Sequence, residues 1–292
     1  MIDPSFLDQL RELNIVLKRR VSSAYAGGRS SVQYGRGIEP VDHREYMHGD
    51  DFRLIDWKLY GRTERLHIRR FEEEKSMILH LLVDASSSMD FSTTGIRKFD
   101  YAGSIAAAFG YLSVHSNEKF ATALFSGGLM EVVEPDKSKK RLFETIDLMN
   151  RLQLERGTSL SNSANQYVKM IKSKSLAVII SDFLEPVDQL RNGIYRMAKA
   201  SKELIAIQVL DPAELKLPWT DDILFEDLET EEKRRTYLSP NFKVEYGRQV
   251  QDHVMRLQQV CNEIGVSYNL VTTEKPILDS FVSLVGGIER GK

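Results

Sequence analysis

The chain has 292 residues, 42% of them hydrophobic, enough apolar material for one large α/β core and a smaller element without covalent staples. Its 40 Lys and Arg against 42 Asp and Glu leave a net charge of −2, so no global basic field argues for nucleic acid. The single cysteine, Cys261, excludes an internal disulfide. No signal-peptide pattern opens the chain and no run approaches the roughly 18 to 20 apolar residues of a membrane span, so a cytoplasmic protein with no membrane role is expected.

In chain order, Phe6, Leu10, Leu13 and Leu17 recur at the spacing of an amphipathic helix. The text SSAYAGGRSSVQYGRGIEP that follows is rich in Gly and Ser and disfavours regular structure. From Val41 to Glu74 the chain is dense in charge and aromatics, and the alternation of Leu66, Ile68 and Phe71 predicts an edge strand. Residues 1–75 are therefore expected to form a helix, a flexible loop and a small β-rich attachment.

Residues 76–292 alternate strand and helix text. Apolar runs at 77–83, 119–125, 176–180, 204–210 and 266–271 predict strands, with 129–133 as a hairpin partner of the second. Helical text lies near 98–115, 138–152, 160–173, 186–200 and 248–264, and the last places Val250, Val254, Leu257, Val260, Cys261 and Ile264 on one core-facing stripe. Two strand-like pieces around a TEEK turn predict a hairpin insertion near 223–239. This alternation predicts an α/β fold, a doubly wound, mostly parallel sheet flanked by helices.

The chemistry concentrates in LLVDASSSMDF, at 81–91. A buried run ends in Asp84, Ser86 and Ser88, and two further oxygen donors follow at later turns, Thr158 in RGTSL and Asp182 after LAVIIS. Hard oxygens of this kind suit Mg²⁺ or Mn²⁺, and a half-open shell would leave a position for another protein's carboxylate. Gly157 permits an unusual turn beside Thr158, Ser159 is placed to cap the next helix, and Ser87 is expected to point away. Asp90 reads as a cap or an outer acceptor. Met89, Phe91, Phe183 and Leu184 are the expected apolar neighbours of the ion. The set DxSxS…T…D resembles the metal-ion-dependent adhesion site of von Willebrand factor type A domains, which implies metal ligation by Asp84, Ser86, Ser88, Thr158 and Asp182.

Competing chemistry finds less support. A divalent-metal phosphohydrolase of the haloacid dehalogenase type needs a second Asp where Ser86 stands, and GxSxG, a P-loop and a strand-linked GxGxxG are absent. His43, His48, His67 and His80 lack cysteine partners or a helix to align them as a zinc site, and His80 falls inside a buried strand. The runs KSKK at 137–140 and EEKRR at 231–235 read as solvated surface.

Upstream, Arg44, Tyr46, Gly49, Asp50, Asp51, Arg53, Asp56, Trp57 and Arg62 match the characteristic text of the bacterial family called domain of unknown function 58, which carries a von Willebrand type A module. The resemblance implies a non-enzymatic, metal-dependent protein-binding adaptor for a MoxR-type AAA+ ATPase or its client. A metal-independent interaction scaffold of the same fold is the alternative. Within the upstream text, GDDFRLIDW offers aromatics for burial and Asp/Arg pairs to fasten the attachment.

Overall fold

Turn chemistry and charge, more than apolar area, shape the upstream attachment. In this computed structural model, which describes residues 1, 2, 6, 7, 10, 40–71, 77–172, 175–220, 222–226 and 233–288, residues 26–76 form a unit of their own. Strand β1 (Pro40–Glu45) pairs antiparallel with β2 (His67–Phe71), so the predicted edge strand is present from His67 onward. Between them Asp56 caps α1 (Trp57–Thr63), accepting from the Lys58 and Leu59 N–H groups at 2.9 and 3.0 Å. Arg44 grips Asp50 through two bonds of 2.8 and 2.5 Å, as the expected Asp/Arg pairing requires. The aromatics depart from expectation: Phe52 and Trp57 are 68% and 61% exposed, and Ile55 and Ile68 supply the buried apolar side chains. With so short a chain segment there is little interior to hide a ring.

The second unit comprises residues 1–25 and 77–292. Ile2, Leu7 and Leu10 are buried in its core, and Asn150 binds both backbone groups of Ile2 at 2.7 and 3.1 Å. Leu13, Leu17, the loop at 21–39, Glu72 to Glu74 and most of the TEEK turn lie outside the described residues.

The sheet begins with β3 (Ile78–Asp84), continues through helix α2 (Lys98–His115) to β4 (Lys119–Phe125), and returns as β5 (Leu129–Asp136). Helices α3 (Lys139–Arg151) and α4 (Leu160–Tyr167) precede β6 (Leu176–Ser181), and α5 (Val187–Ala200) precedes β7 (Glu203–Leu210). A short α6 (Pro212–Lys216), the expected hairpin β8 (Asp222–Glu226) and β9 (Lys233–Tyr237), then α7 (Pro240–Ile264), β10 (Ser267–Thr272) and α8 (Ile277–Ile288) complete it. The strand order is β10-β7-β6-β3-β4-β5, parallel except for β5, whose pairing with β4 slips at two places. This is the doubly wound, mostly parallel arrangement expected from the alternation.

Both faces of the sheet are covered, so its strands are buried without alternation. Leu79, Leu81 and Val83 of β3 face a core shared with α2, α3 and α8; Leu82 faces the opposite core, shared with α4, α5 and α7. Cys261 lies in that second core, its thiol pushed up to about 12 by burial. Gly193 lets α5 approach α4 closely: a Cβ there would lie 2.8 Å from the Leu160 side chain. Two helices differ from their predicted ends. Helix α7 starts eight residues earlier than the apolar stripe, because Ser239 caps it and Pro240 opens it while its first turns stay exposed. Helix α4 is shorter, its last turn tightening into a 3₁₀ segment at Val168–Met170. No helix among the described residues is long and apolar enough to cross a membrane.

Candidate metal centre

Strands β3 and β6 are parallel neighbours, so Asp84 and Asp182 emerge side by side at their carboxyl ends, where crevices open in α/β sheets. Asp84 is buried. Its Oδ1 accepts from the Ser86 N–H at 2.9 Å and its Oδ2 from Ser181 Oγ at 2.5 Å. Burial, and then the nearby Asp182 carboxylate, pushes its carboxyl up to about 7. A 3₁₀ turn at Ser87–Asp90 folds the chain back, bringing the Ser86 and Ser88 hydroxyls within 3.1 Å of each other. Ser88 Oγ then donates to Asp182 Oδ2 at 2.7 Å. Four of the five expected residues thus join one network of oxygens.

Thr158 occupies the adjoining loop. Glu155 stitches that loop to the first, accepting from the Ser87 N–H at 2.8 Å and donating to the Ala85 carbonyl at 3.1 Å. Gly157 turns with φ of +78°, and Ser159 caps α4 as expected, accepting from the Asn162 N–H at 3.3 Å. Thr158 Oγ1 is buried and has no hydrogen-bond partner. Such a hydroxyl costs free energy unless something completes it.

Four residues that the sequence reading missed complete the surroundings. Ser181 bonds Asp84 directly. Glu185, at 8% exposure, accepts from the Leu160 N–H at 2.9 Å through Oε1 while its buried Oε2 lacks a partner; burial pushes its carboxyl up. Lys98, fully buried, donates to Asp182 Oδ2 at 2.9 Å and to Glu214 Oε1 at 2.6 Å. Burial works to lower the Lys98 ammonium's pKa, but the Asp182 and Glu214 carboxylates more than compensate and hold it above its ordinary value. One signal could have found this pair: Lys98 opens a helix, an end where the backbone dipole disfavours cations, so a partner acid was implied.

Some expected neighbours are elsewhere. Asp90 is exposed and paired with Arg97 at 2.9 Å. Met89 and Phe183 are buried at 0% and 1%, because their apolar side chains complete the core, which leaves Leu184 as the exposed one, at 51%. Three of the four histidines have separate partners: His43 contacts Asp56 at 3.0 Å, His67 the Arg65 carbonyl at 3.0 Å, and His80 the Tyr167 hydroxyl at 2.9 Å.

The donor set suits a hard divalent cation. Two adjacent buried carboxylates favour positive charge, and an unsatisfied Thr158 hydroxyl offers a lone pair. Among the described residues no three His, Cys, Asp or Glu side chains cluster as a metal site, so hydroxyls would have to supply the remaining ligands.

The chain is similar to several known proteins. An uncharacterized protein of Mycobacterium bovis is 27% identical over 292 residues, covering 99% of this chain and 92% of that protein. Among solved structures, the conserved hypothetical protein BatB from Bacteroides thetaiotaomicron is similar with a TM-score of 0.49 and 11% identity, over 74% of this chain and 98% of that one. A von Willebrand factor type A protein from Catenulispora acidiphila is similar with a TM-score of 0.42 and 10% identity, over 76% of this chain and 43% of that one. The family model described as protein of unknown function DUF58 matches residues 42–256, and the chain belongs to that family.

Proposed function

We propose that this chain is a non-enzymatic protein-binding adaptor whose contact site holds Mg²⁺ or Mn²⁺. Asp84, Ser86, Ser88, Thr158 and Asp182 would hold the ion, and the observation that carries the reading is the buried, unpartnered Thr158 hydroxyl. The bound ion would supply an open coordination position for an acidic side chain of another protein. Around it, loops 85–95, 155–160 and 183–188 form the contact surface, with Leu184 as its exposed apolar element. The Ser86 and Ser88 hydroxyls bond each other and Asp182, which favours ligation over action as a nucleophile. The family resemblance supplies the partner class, a MoxR-type AAA+ ATPase or a client it remodels.

A second reading, a scaffold that works without metal, draws on Lys98, whose ammonium already balances Asp182. Calorimetric titration with Mg²⁺ and Mn²⁺, paired with capture of a co-expressed MoxR-type ATPase in the presence and absence of EDTA, separates the two. The adaptor reading expects ion binding, loss of capture in EDTA, and weakening by Thr158→Ala or Asp182→Ala in folded protein. Capture unchanged in EDTA and in both variants would overturn the ion bridge.

A further inference from the structure

Lys98 is not one of the five oxygen donors, yet it is the group in closest charged contact with them. Its side chain is 0% exposed and its ammonium lies 2.9 Å from Asp182 Oδ2, the same oxygen that accepts from Ser88. On its other side the ammonium lies 2.6 Å from Glu214 Oε1, while Glu214 Oε2 accepts from the Asp211 N–H at 2.8 Å as the return half of the capping box of α6. Glu214 is therefore anchored by α6, and Lys98 by the buried first turn of α2. The ammonium has two carboxylates to share, one belonging to the proposed metal centre and one outside it.

We propose that Lys98 is a positioning residue that sets the affinity of the metal centre, with Glu214 dividing its charge. This rests on the reading of Asp182 as a metal ligand. The fixed positive charge of Lys98 beside Asp182 does two opposite things. It orients the carboxylate and balances it in the metal-free protein, and it repels a second cation approaching the same oxygen. Because the pair is fully desolvated, repulsion of the ion outweighs the gain from orientation, which Ser88 and the Leu184 N–H also provide. The centre is thereby kept weak and exchangeable, closed by its own lysine when no ion is present. Glu214 moderates this by drawing part of the ammonium's charge away from Asp182.

Opposite changes are expected in two single variants. Lys98→Met should tighten Mn²⁺ binding about tenfold or more, since a buried carboxylate loses its one counter-ion among the described residues. Glu214→Gln should weaken Mn²⁺ binding severalfold, because the ammonium then serves Asp182 alone. A purely structural staple predicts a different pattern, in which both variants lose stability and neither gains affinity.

The experiment titrates Mn²⁺ into the full chain and both variants by calorimetry and by the loss of free-Mn²⁺ paramagnetic signal, and records melting curves in EDTA and in Mn²⁺. Tighter binding by Lys98→Met, with a larger Mn²⁺-induced rise in melting temperature than in the parent, together with weaker binding by Glu214→Gln, supports the proposal. Equal or weaker binding by folded Lys98→Met overturns it while leaving the metal centre intact. If Lys98→Met fails to fold under both conditions, Glu214→Gln decides: unchanged or tighter binding overturns the proposal. If neither the parent nor folded Lys98→Met binds Mn²⁺, the metal reading itself is wrong and the proposal falls with it.

Discussion

Replacing Asp84 with Asn should stabilise the metal-free protein and abolish its affinity for the divalent ion. Asp84 is 1% exposed, and burial followed by the charge of Asp182 moves its carboxyl from the ordinary 3.8 to about 7. The folded state therefore binds this proton more tightly than the unfolded chain does. Stability from Asp84 is greatest below about pH 4 and is lost as pH rises through about 7. At roughly 1.4 kcal/mol per pH unit, ionising it costs the metal-free fold about 4 kcal/mol at most. Asparagine removes the charge and keeps both contacts: its carbonyl accepts from the Ser86 N–H and its amide donates to Ser181 Oγ. The Ser86 and Ser181 hydrogen bonds are already counted in that shift, so the net gain is up to about 4 kcal/mol at pH 8 and almost none at pH 4. Urea unfolding in EDTA at pH 5 and pH 8, at constant m-value, measures the difference, and a Mn²⁺ titration measures the lost affinity. An Asn variant less stable than the parent at pH 8, or a gain that does not shrink at pH 5, would refute the reasoning.

Three further outcomes follow from the geometry. Thr158→Val removes a buried hydroxyl with no partner, so in EDTA the variant should be as stable as the parent or more so by about 1 kcal/mol, while Mn²⁺ binds more weakly; a loss of stability in EDTA would reveal an unseen partner for Oγ1. Gly193→Ala should destabilise by about 1 kcal/mol, since overpacking against Leu160 costs about 1–3 kcal/mol and the helix gains only about 1. Because Leu160 follows Thr158 by two residues, weaker metal binding should accompany it, and unaltered stability would show that Leu160 yields. His80, held down to about 4 by burial, favours the folded state fully above about pH 6.5 and loses that contribution as pH falls toward 4; its ring should stay neutral by NMR at pH 5, and a protonated ring there contradicts the assignment.

The parallel sheet was legible because buried strands between helices leave unbroken apolar runs such as LAVIIS, and β3, β4 and β6 lie within a residue of expectation. Helix α8 escaped because its text, ILDSFVSLVGGI, carries two glycines and lacks a charged face to mark its period. The attachment was legible in its strand pairing and not in its packing, since aromatic content alone does not say whether Phe52 and Trp57 find an interior. Of the candidate site, the motif residues could be placed because strand ends and turns fix them in sequence order. Lys98 left only the hint of a cation at a helix start, and Glu185 and Glu214 left none, because a charged side chain reads as solvated surface until folding supplies a desolvated partner.

The slips in β5 bear on how copies of this protein meet. A strand at the rim of a sheet offers unused N–H and C=O groups to any neighbouring chain, and a flat, regular rim invites stacking. β5 breaks the regular ladder at two places and carries exposed Glu131, Glu134 and Pro135. Another strand laid along it would meet like charge, a missing donor and an altered twist. β10, at the opposite rim, keeps a continuous six-residue register with β7. The β5 rim is therefore guarded against self-templated growth, and changes that straighten β5, such as Pro135→Val with Glu134→Thr, would turn a silent rim into an aggregation seam.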